Sequence, residues 1–133
     1  MKVTSNIETI HASGEKIFSL LTNFNRFGEM LPEQVKNWES SEDYCKFLIQ
    51  DFVTITMRIT EKVNFSKIVY QMDNDRQIPA FITLLLNNQE DNQEIFIEIE
   101  MDIPAIFAGM VKKPLQSFVD MLVIKIKQEA EKE

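Results

Sequence analysis

The fold of this chain is decided by residues 103–133, which read IPAIFAGMVKKPLQSFVDMLVIKIKQEAEKE. Their spacing predicts one long helix that starts at Pro104, a residue suited to the first helical position because its missing N–H would be unpaired there. At 1.5 Å per residue the helix extends over roughly 43 Å. Pro114 removes one backbone donor and clashes with the preceding turn, which predicts a kink just before it.

Apolar residues cover more than half of the circumference of this helix. A projection at about 100° per residue separates a stripe of core contacts from a second apolar band beside it. The stripe contains Phe107, Val111, Leu115, Phe118, Val119, Leu122 and Ile126, and the second band contains Ile106, Met110, Pro114, Met121 and Ile124. Such a helix must be covered on several sides, and a strongly curved antiparallel sheet can do that.

The rest of the chain predicts such a sheet. Val3 to Ile10 alternates like a half-buried strand, with Val3, Ser5 and Ile7 on one side. After Pro32 the apolar period changes to two and continues through six segments. They lie near residues 35–40, 44–51, 53–63, 67–73, 80–87 and 93–103. The segment FITLLL (81–86) is apolar on both faces, so its parity stays open.

Two short helices are expected between the first strand and the six others. Ser13 is a suitable N-cap for a helix that contains Ile17 and Leu20, and Asn25 for a second helix that ends at Pro32. The predicted fold is therefore α+β: a seven-stranded curved antiparallel sheet, two short helices after the first strand and a long C-terminal helix.

Length and charge restrict the possible functions. The 133 residues fit one domain, 1–133. The net charge of -7 argues against nucleic-acid binding, because no basic excess is present to displace counterions. No apolar run approaches the ~20 residues that span a bilayer, so stable membrane insertion is not expected. A single cysteine, Cys45, and an N-terminus without signal-peptide features predict a reducing, cytoplasmic location.

Residues for catalysis or metal binding are scarce. The three glycines are too scattered for a nucleotide-binding loop, and His11 is the only imidazole. We therefore expect no catalytic residue, no metal and no cofactor. His11 is interpreted as a turn or surface residue, and Cys45, which alternates with Phe47 and Ile49, as a small core residue.

Two stretches resemble the START-like superfamily, also called SRPBCC, whose members have the helix-grip fold. Residues 12–32, ASGEKIFSLLTNFNRFGEMLP, resemble its first-strand exit and helix pair, and residues 113–126, KPLQSFVDMLVIKI, resemble its closing helix. The order of elements matches over nearly the whole chain, and the sequence looks closest to a bacterial branch without recognisable catalytic motifs. These motifs encode packing, so the resemblance implies an architecture and names no ligand.

The resemblance implies a cavity between the sheet and the long helix that holds lipids, isoprenoids, polyketides or other apolar molecules. We therefore predict a carrier or sensor of a small hydrophobic ligand. Apolar residues on the predicted inner faces are the candidate lining, and methionines suit such a pocket because they adapt to varied shapes. The candidates are Trp38, Phe47, Met57, Ile59, Phe81, Ile97, Met101, Met110, Pro114, Phe118 and Met121.

Two alternatives stay open, and the sequence does not fix the oligomeric state. A cyclase-like or dehydratase-like enzyme would need Tyr70, Glu61 or His11 to face the cavity as an acid or base. A protein-interaction module would use the outer residues of FITLLL or of IFAGM (106–110) as an interface. Arg58, Glu61, Tyr70 and Gln71 are also candidates for anchoring a polar ligand head group.

Overall fold

The computed structural model describes residues 1–33, 35–49, 53–75, 77–88 and 92–132. Residues 34, 50–52, 76, 89–91 and 133 lie outside these ranges, and they include the last residues of the predicted 44–51 strand. The elements are β1 (Lys2–Thr4), β2 (Glu8–Ile10), α1 (Gly14–Leu21), α2 (Phe24–Phe27), a 3-10 turn (Gly28–Met30), β3 (Val35–Ser40), β4 (Tyr44–Ile49), β5 (Val53–Val63), β6 (Lys67–Asn74), β7 (Ala80–Asn88), β8 (Gln93–Met101) and α3 (Ala105–Ala130).

The strands form one antiparallel sheet in the order β1-β8-β7-β6-β5-β4-β3, and β2 also pairs with β8. The predicted α+β fold is confirmed, with two short helices between the first strands and the meander and with α3 at the C-terminus. The inner face of the sheet carries the core, and α1, α2 and the second half of α3 bury apolar side chains in it.

The predicted first strand is divided in two. Ser5 lies at the break: its backbone N–H donates to the Ile97 carbonyl at 2.8 Å, and its hydroxyl oxygen accepts from the Ile97 N–H at 2.9 Å. The Ser5 hydroxyl oxygen thus takes the place of a backbone carbonyl in one hydrogen bond of the β-ladder. As a result, the alternation of inward and outward side chains is interrupted after Ser5. The prediction that Ile7 faces inward with Val3 is therefore wrong, since Ile7 is 62% exposed and Ile10 is fully buried.

The alternation of VTITMRITEKV (53–63) predicts an inward apolar row that includes Met57 and Val63, with Glu61 as the exception. A β-bulge in β5 explains this exception. The pairing with β6 shifts between Ile59 and Glu61, so the inner face changes parity there. Met57 before the bulge is buried, whereas Val63 after it is exposed, contrary to the expected inward orientation. In β7 the side chains of Ile82, Leu84 and Leu86 are buried, so the side of the strand that carries them is the inner face.

The second half of α3, residues 115–130, is anchored on the sheet. Val119, Leu122, Val123 and Ile126 are almost completely buried, which stabilises the fold by roughly 1.5–3 kcal/mol per side chain. The helix starts at Ala105 with Pro104 as N-cap, one residue later than predicted, and it continues through Pro114.

Polar contacts fix the same half of α3 along β1 and β2. The Gln116 amide donates to the Thr4 carbonyl at 2.8 Å, and the Asn6 N–H donates to the Asp120 carboxylate at 3.0 Å. Further along, the His11 N–H donates to the Glu131 carboxylate at 2.9 Å. These contacts hold the edge strands and α3 together from residue 116 onward.

The two short helices have side-chain caps. The Ser13 hydroxyl accepts from the Lys16 N–H at 3.1 Å, as its predicted role requires. The second cap is Asn23, whose amide oxygen accepts from the Asn25 N–H at 2.9 Å, so the predicted cap Asn25 is two residues too late.

Aromatic rings join α2 to the sheet. The Phe27 ring stacks on Trp38 with centroids 6.1 Å apart, and Trp38 stacks on Phe47 at 5.5 Å. Phe24 and Phe27 also contact Tyr70, with ring centroids 5.6 and 5.9 Å apart. The three stacked rings run from α2 through β3 to β4 and close this side of the core.

Tyr70 ties α1 to the sheet. Its side chain is fully buried, and its hydroxyl donates to the Leu21 carbonyl at the end of α1. Burial raises the pKa of Tyr70 well above its usual value, and the neighbouring Cys45 adds to this shift. Burial also raises the pKa of the Cys45 thiol from 9.0 to about 12, although a hydrogen bond with the Met57 backbone partly opposes the shift.

The free energy of unfolding is expected to fall as the pH rises above about 9. The unfolded chain releases the protons of Cys45 and Tyr70 at lower pH than the folded protein, whose pKa values are raised. Their contribution is complete below the unfolded pKa values and is lost as the pH rises toward the folded ones. Urea unfolding between roughly pH 8 and 10.5 measures this loss.

Tyr70→Phe should reduce this pH dependence, whereas Tyr44→Phe should not, because Tyr44 is exposed. Equal slopes in the wild type and in Tyr70→Phe would contradict the account.

Gly28→Ala is expected to destabilise the fold by about 1–3 kcal/mol, because overpacking displaces neighbouring side chains. An added Cβ would lie 2.6 Å from the Trp38 Nε1 atom, although the backbone of Gly28 is ordinary. The matched control is Gly109→Ala in α3, where nothing lies within 4 Å. That change should stabilise the protein by up to about 1 kcal/mol. Urea unfolding of both variants tests the difference, and equal effects would contradict it.

Candidate functional site

One row of side chains crosses the inner face of the sheet where α3 begins. Backbone pairing places Cys45, Met57, Met72, Ala80 and Met101 next to one another on β4, β5, β6, β7 and β8. We call these five residues the methionine row. Four of them are buried and Met101 is partly buried. Methionine fills irregular gaps and adapts to different ligand shapes, so the row forms a deformable apolar surface.

The first half of α3, residues 105–113, begins four residues after Met101, where this row ends. Unlike the second half, it contributes no buried residue to the core. Ile106 is 80% exposed, Met110 is 71% exposed and Phe107 is 53% exposed. Only Ala108 and Val111 are partly covered. The helix is therefore firmly packed from Phe118 onward and loosely packed where it starts.

The structure brings seven predicted cavity residues to the core side of the sheet or of α3. Phe47, Met57, Ile97 and Phe118 are buried, and three others are partly buried and pack against them. The partly buried three are Trp38, Ile59 and Met101. They include Trp38 and Phe47 of the aromatic stack and Met57 and Met101 of the methionine row.

Phe81 is not part of this surface. It alternates with the buried Ala80 and Ile82, so its side chain lies on the outer face of β7, where it is exposed. Because FITLLL is apolar on both faces, its residue pattern does not show which face of the strand lies inward. Phe81 is therefore corrected to an outer-face residue.

Met110, Pro114 and Met121 are also exposed. They lie on the side of α3 that is turned away from Leu122 and Ile126, both buried. The helical projection was wrong for Phe107, which it assigned to the core stripe and which is 53% exposed. It expected the second band to cover either a cavity or the neighbouring short helices. In the structure these three residues face away from the core.

The candidates for acid–base catalysis do not converge. Glu61 is exposed and forms an ion pair with Lys67 at 3.0 Å. His11 is exposed, with Nδ1 2.6 Å from the Asn92 side-chain oxygen. Tyr70 alone faces inward, but its proton is donated to the Leu21 carbonyl and its pKa is raised. A hydroxyl held in this way is poorly suited to proton transfer to a ligand.

Of the candidates for head-group binding, Tyr70 is buried in the core, whereas Arg58 and Gln71 lie on the outer face of the sheet. Arg58 forms an ion pair with Asp73 at 3.4 Å, and the Gln71 amide donates to the same carboxylate at 2.9 Å. Since Met57 and Met72 beside them face inward, Arg58 and Gln71 cannot reach a ligand on the methionine row without a rearrangement of both strands.

Two open recesses flank Phe81 and Pro79 at one end of the sheet. The larger, of about 410 Å³, is lined partly by Met101 and by the charged side chains of Lys2, Glu100 and Asp102. The other, of about 340 Å³, lies between the ends of β6 and β7. Their walls are partly charged and open to solvent, unlike the apolar cavity expected from the sequence.

The described ranges contain neither a cluster of metal ligands nor a helix that could span a bilayer. Within them, no three His, Cys, Asp or Glu side chains are grouped so that they could hold a metal ion. In the same part of the chain, every helix is too short or too polar to cross a bilayer.

Three residues of the methionine row, Cys45, Met72 and Ala80, were not among the predicted site residues, and Cys45 was expected only as a small core residue. Met72 follows Ile68 and Tyr70 at spacings of two, so strand alternation could have identified it. Ala80 could not be found in this way, because it precedes the segment of ambiguous parity.

Comparisons with solved structures agree with this architecture. A START superfamily protein from Mycobacterium smegmatis is 13% identical with a TM-score of 0.74, and the match covers 98% of this chain and 97% of that one. XoxI from Bacillus cereus is 12% identical with a TM-score of 0.74, covering 97% and 94% of the two chains. Aha1 from Colwellia psychrerythraea, described as a dimer in solution, is 14% identical with a TM-score of 0.68 and covers 98% and 96%.

No protein-family model matches the sequence, and no curated protein matches it either. At 12–14% identity the structural matches establish the fold. The chain has a START-like helix-grip fold, as the sequence resemblance predicted.

Proposed function

We propose that the protein binds or carries a small hydrophobic molecule, such as a lipid, an isoprenoid or a polyketide-like compound, between the methionine row and the first half of α3. The observation that carries the proposal is the contrast along α3: the helix is anchored from Phe118 onward, whereas its first half contributes no buried side chain. The START-like fold supports a ligand-binding role in this place.

A ligand would enter by moving the first half of α3 outward. Pro114 lies at the boundary between the two halves, and its missing N–H leaves the helix one hydrogen bond weaker there. The contacts of Gln116, Asp120 and Glu131 with the edge strands would stay in place. Such a movement exposes Met57, Met72 and Met101 without loss of the core beneath the second half.

The chemistry of the row favours an uncharged, apolar part of the ligand. None of its five members carries a charge at neutral pH, because the raised pKa keeps the Cys45 thiol protonated. Ala80 is the smallest member and lies between Met72 and Met101, which favours ligand contact between these two methionines. A ligand that buries about 300 Å² of apolar surface would gain roughly 7 kcal/mol before the entropic cost of association.

We also infer a cytoplasmic location for this carrier. Support comes from Cys45, which is a buried free thiol and needs no oxidising compartment.

Native mass spectrometry of the purified protein with a panel of fatty acids and isoprenoids should show one ligand held per chain. Trp38, the only tryptophan, offers a second signal because it lies within the aromatic stack beside the row. A titration followed by Trp38 fluorescence then gives the dissociation constant. Failure of every ligand in the panel to bind would contradict the proposal.

Met101→Glu should raise that dissociation constant at least tenfold, because ligand binding would then bury an unpaired carboxylate. Phe81→Glu is the matched control: it introduces the same charge next to the pairing partner of Met101, but on the outer face. It should change the constant less than twofold. Thermal unfolding confirms that both variants fold, and equal weakening by the two changes would exclude the inner face as the site.

A further inference from the structure

The outward side of α3 carries a stripe of exposed residues along most of its length. The members are Ile106, Phe107, Met110, Pro114, Ser117, Met121 and Ile124, and we call them the outer stripe. At about 100° per residue they fall within an arc of roughly 100°, so they form one continuous surface. Contiguous apolar surface of this kind marks an interaction site more often than scattered apolar residues do.

The outer stripe is symmetric about the midpoint between Leu115 and Gln116. Residues at equal distances on either side of this point have similar character, with small ones at the centre and large apolar ones at the ends. The matched pairs are Pro114 with Ser117, Met110 with Met121, and Phe107 with Ile124. A surface with this pattern is complementary to a second copy of itself that runs in the opposite direction, as a two-fold interface requires.

Charged groups at the edge of the stripe fit the same arrangement. Lys113 and Asp120 project within about 20° of each other on one edge. A two-fold axis at the midpoint keeps both on that edge and places Lys113 of each copy within one turn of Asp120 of the other. Asp120 is held in place by the Asn6 N–H and the Gln116 amide. Two equivalent ion pairs would therefore flank the apolar contact.

Ile7 extends the surface. It is 62% exposed, and its neighbours Asn6 and Glu8 contact Asp120 and Lys127 of α3. Ile7 thus lies beside Ile124. In the antiparallel arrangement, Ile106 of a second copy, the most exposed of these apolar residues, would reach both.

We propose that two copies of the chain associate through the outer stripe, with their α3 helices antiparallel and a two-fold axis between Leu115 and Gln116. The stripe is about 27 Å long and 11 Å wide, which amounts to an area on the order of 300 Å² per copy. This is below the ~1,200 Å² total of stable complexes, so the dimer is weak and depends on concentration. We expect a dissociation constant of roughly 10–500 μM, in the range of transient contacts.

A membrane surface is the competing partner for such a helix. Apolar residues beside Lys112 and Lys113 resemble an interfacial helix, but the net charge of -7 opposes approach to anionic lipid. The symmetry of the stripe and the position of Asp120 favour a second copy.

Sedimentation velocity from about 5 μM to 1 mM should show a monomer–dimer equilibrium. Met110→Lys should weaken it at least tenfold, because two charges would meet partly desolvated methionines. Val63→Lys replaces an exposed apolar residue elsewhere and should leave the constant unchanged. A monomer at every concentration overturns the proposal, as does equal weakening by both variants or binding to phosphatidylglycerol vesicles by a protein that stays monomeric.

A cysteine cross-link tests the position of the two-fold axis. Ser117→Cys places a thiol close to its copy across the axis, so mild oxidation should give a disulfide-linked dimer. Gln128→Cys is exposed on the same side of α3, but its copy would lie roughly 37 Å away along the helix. It should stay monomeric. Equal cross-linking of the two variants, or cross-linking of Gln128→Cys alone, overturns the antiparallel arrangement.

Discussion

The burial of the second half of α3 is the contact on which the rest of the structure depends. Val119, Leu122, Val123 and Ile126 close the core of a sheet whose inner face would otherwise be open. Together they stabilise the fold by roughly 6–12 kcal/mol, which is comparable to the entire stability of a small domain. The polar contacts of Gln116, Asp120 and Glu131 fix the orientation of the helix, because they hold β1 and β2 along it.

Because the second half supplies the core contacts, the first half of α3 is free to serve another purpose. In the proposed function its inner side covers a ligand on the methionine row, and its outer side carries part of the outer stripe. A ligand bound on the inner side and a second copy bound on the outer side would thus both contact residues 105–113. If both proposals hold, each event changes the free energy of the other, since a helix half that moves to admit a ligand also moves its share of the dimer surface.

Most of the fold could be predicted from the sequence because the period of apolar residues changes clearly between helices and strands. The alternation in β5 and β8 placed Met57, Ile97 and Met101 on the inner face. The resemblance of residues 12–32 and 113–126 to START-like proteins supplied the order of the elements. The division of the first strand could not be foreseen, because it depends on a hydrogen bond between the Ser5 side chain and Ile97, distant in sequence.

The candidate site was less predictable for two physical reasons. A strand that is apolar on both faces has no sequence signal for its inner side, and so Phe81 was placed on the wrong face. A helix with two apolar bands does not indicate which band meets the sheet along each half, and so Met110, Pro114 and Met121 were assigned to a cavity. Ala80 became visible only through its pairing with Met72 and Met101.

The two halves of α3 should differ in local stability, and amide hydrogen exchange followed by mass spectrometry measures this difference. We expect fast exchange for residues 105–113 and slow exchange for residues 118–130, with protection of the latter close to that of β8. Uniform protection along the whole of α3 in the free monomeric protein would contradict this expectation.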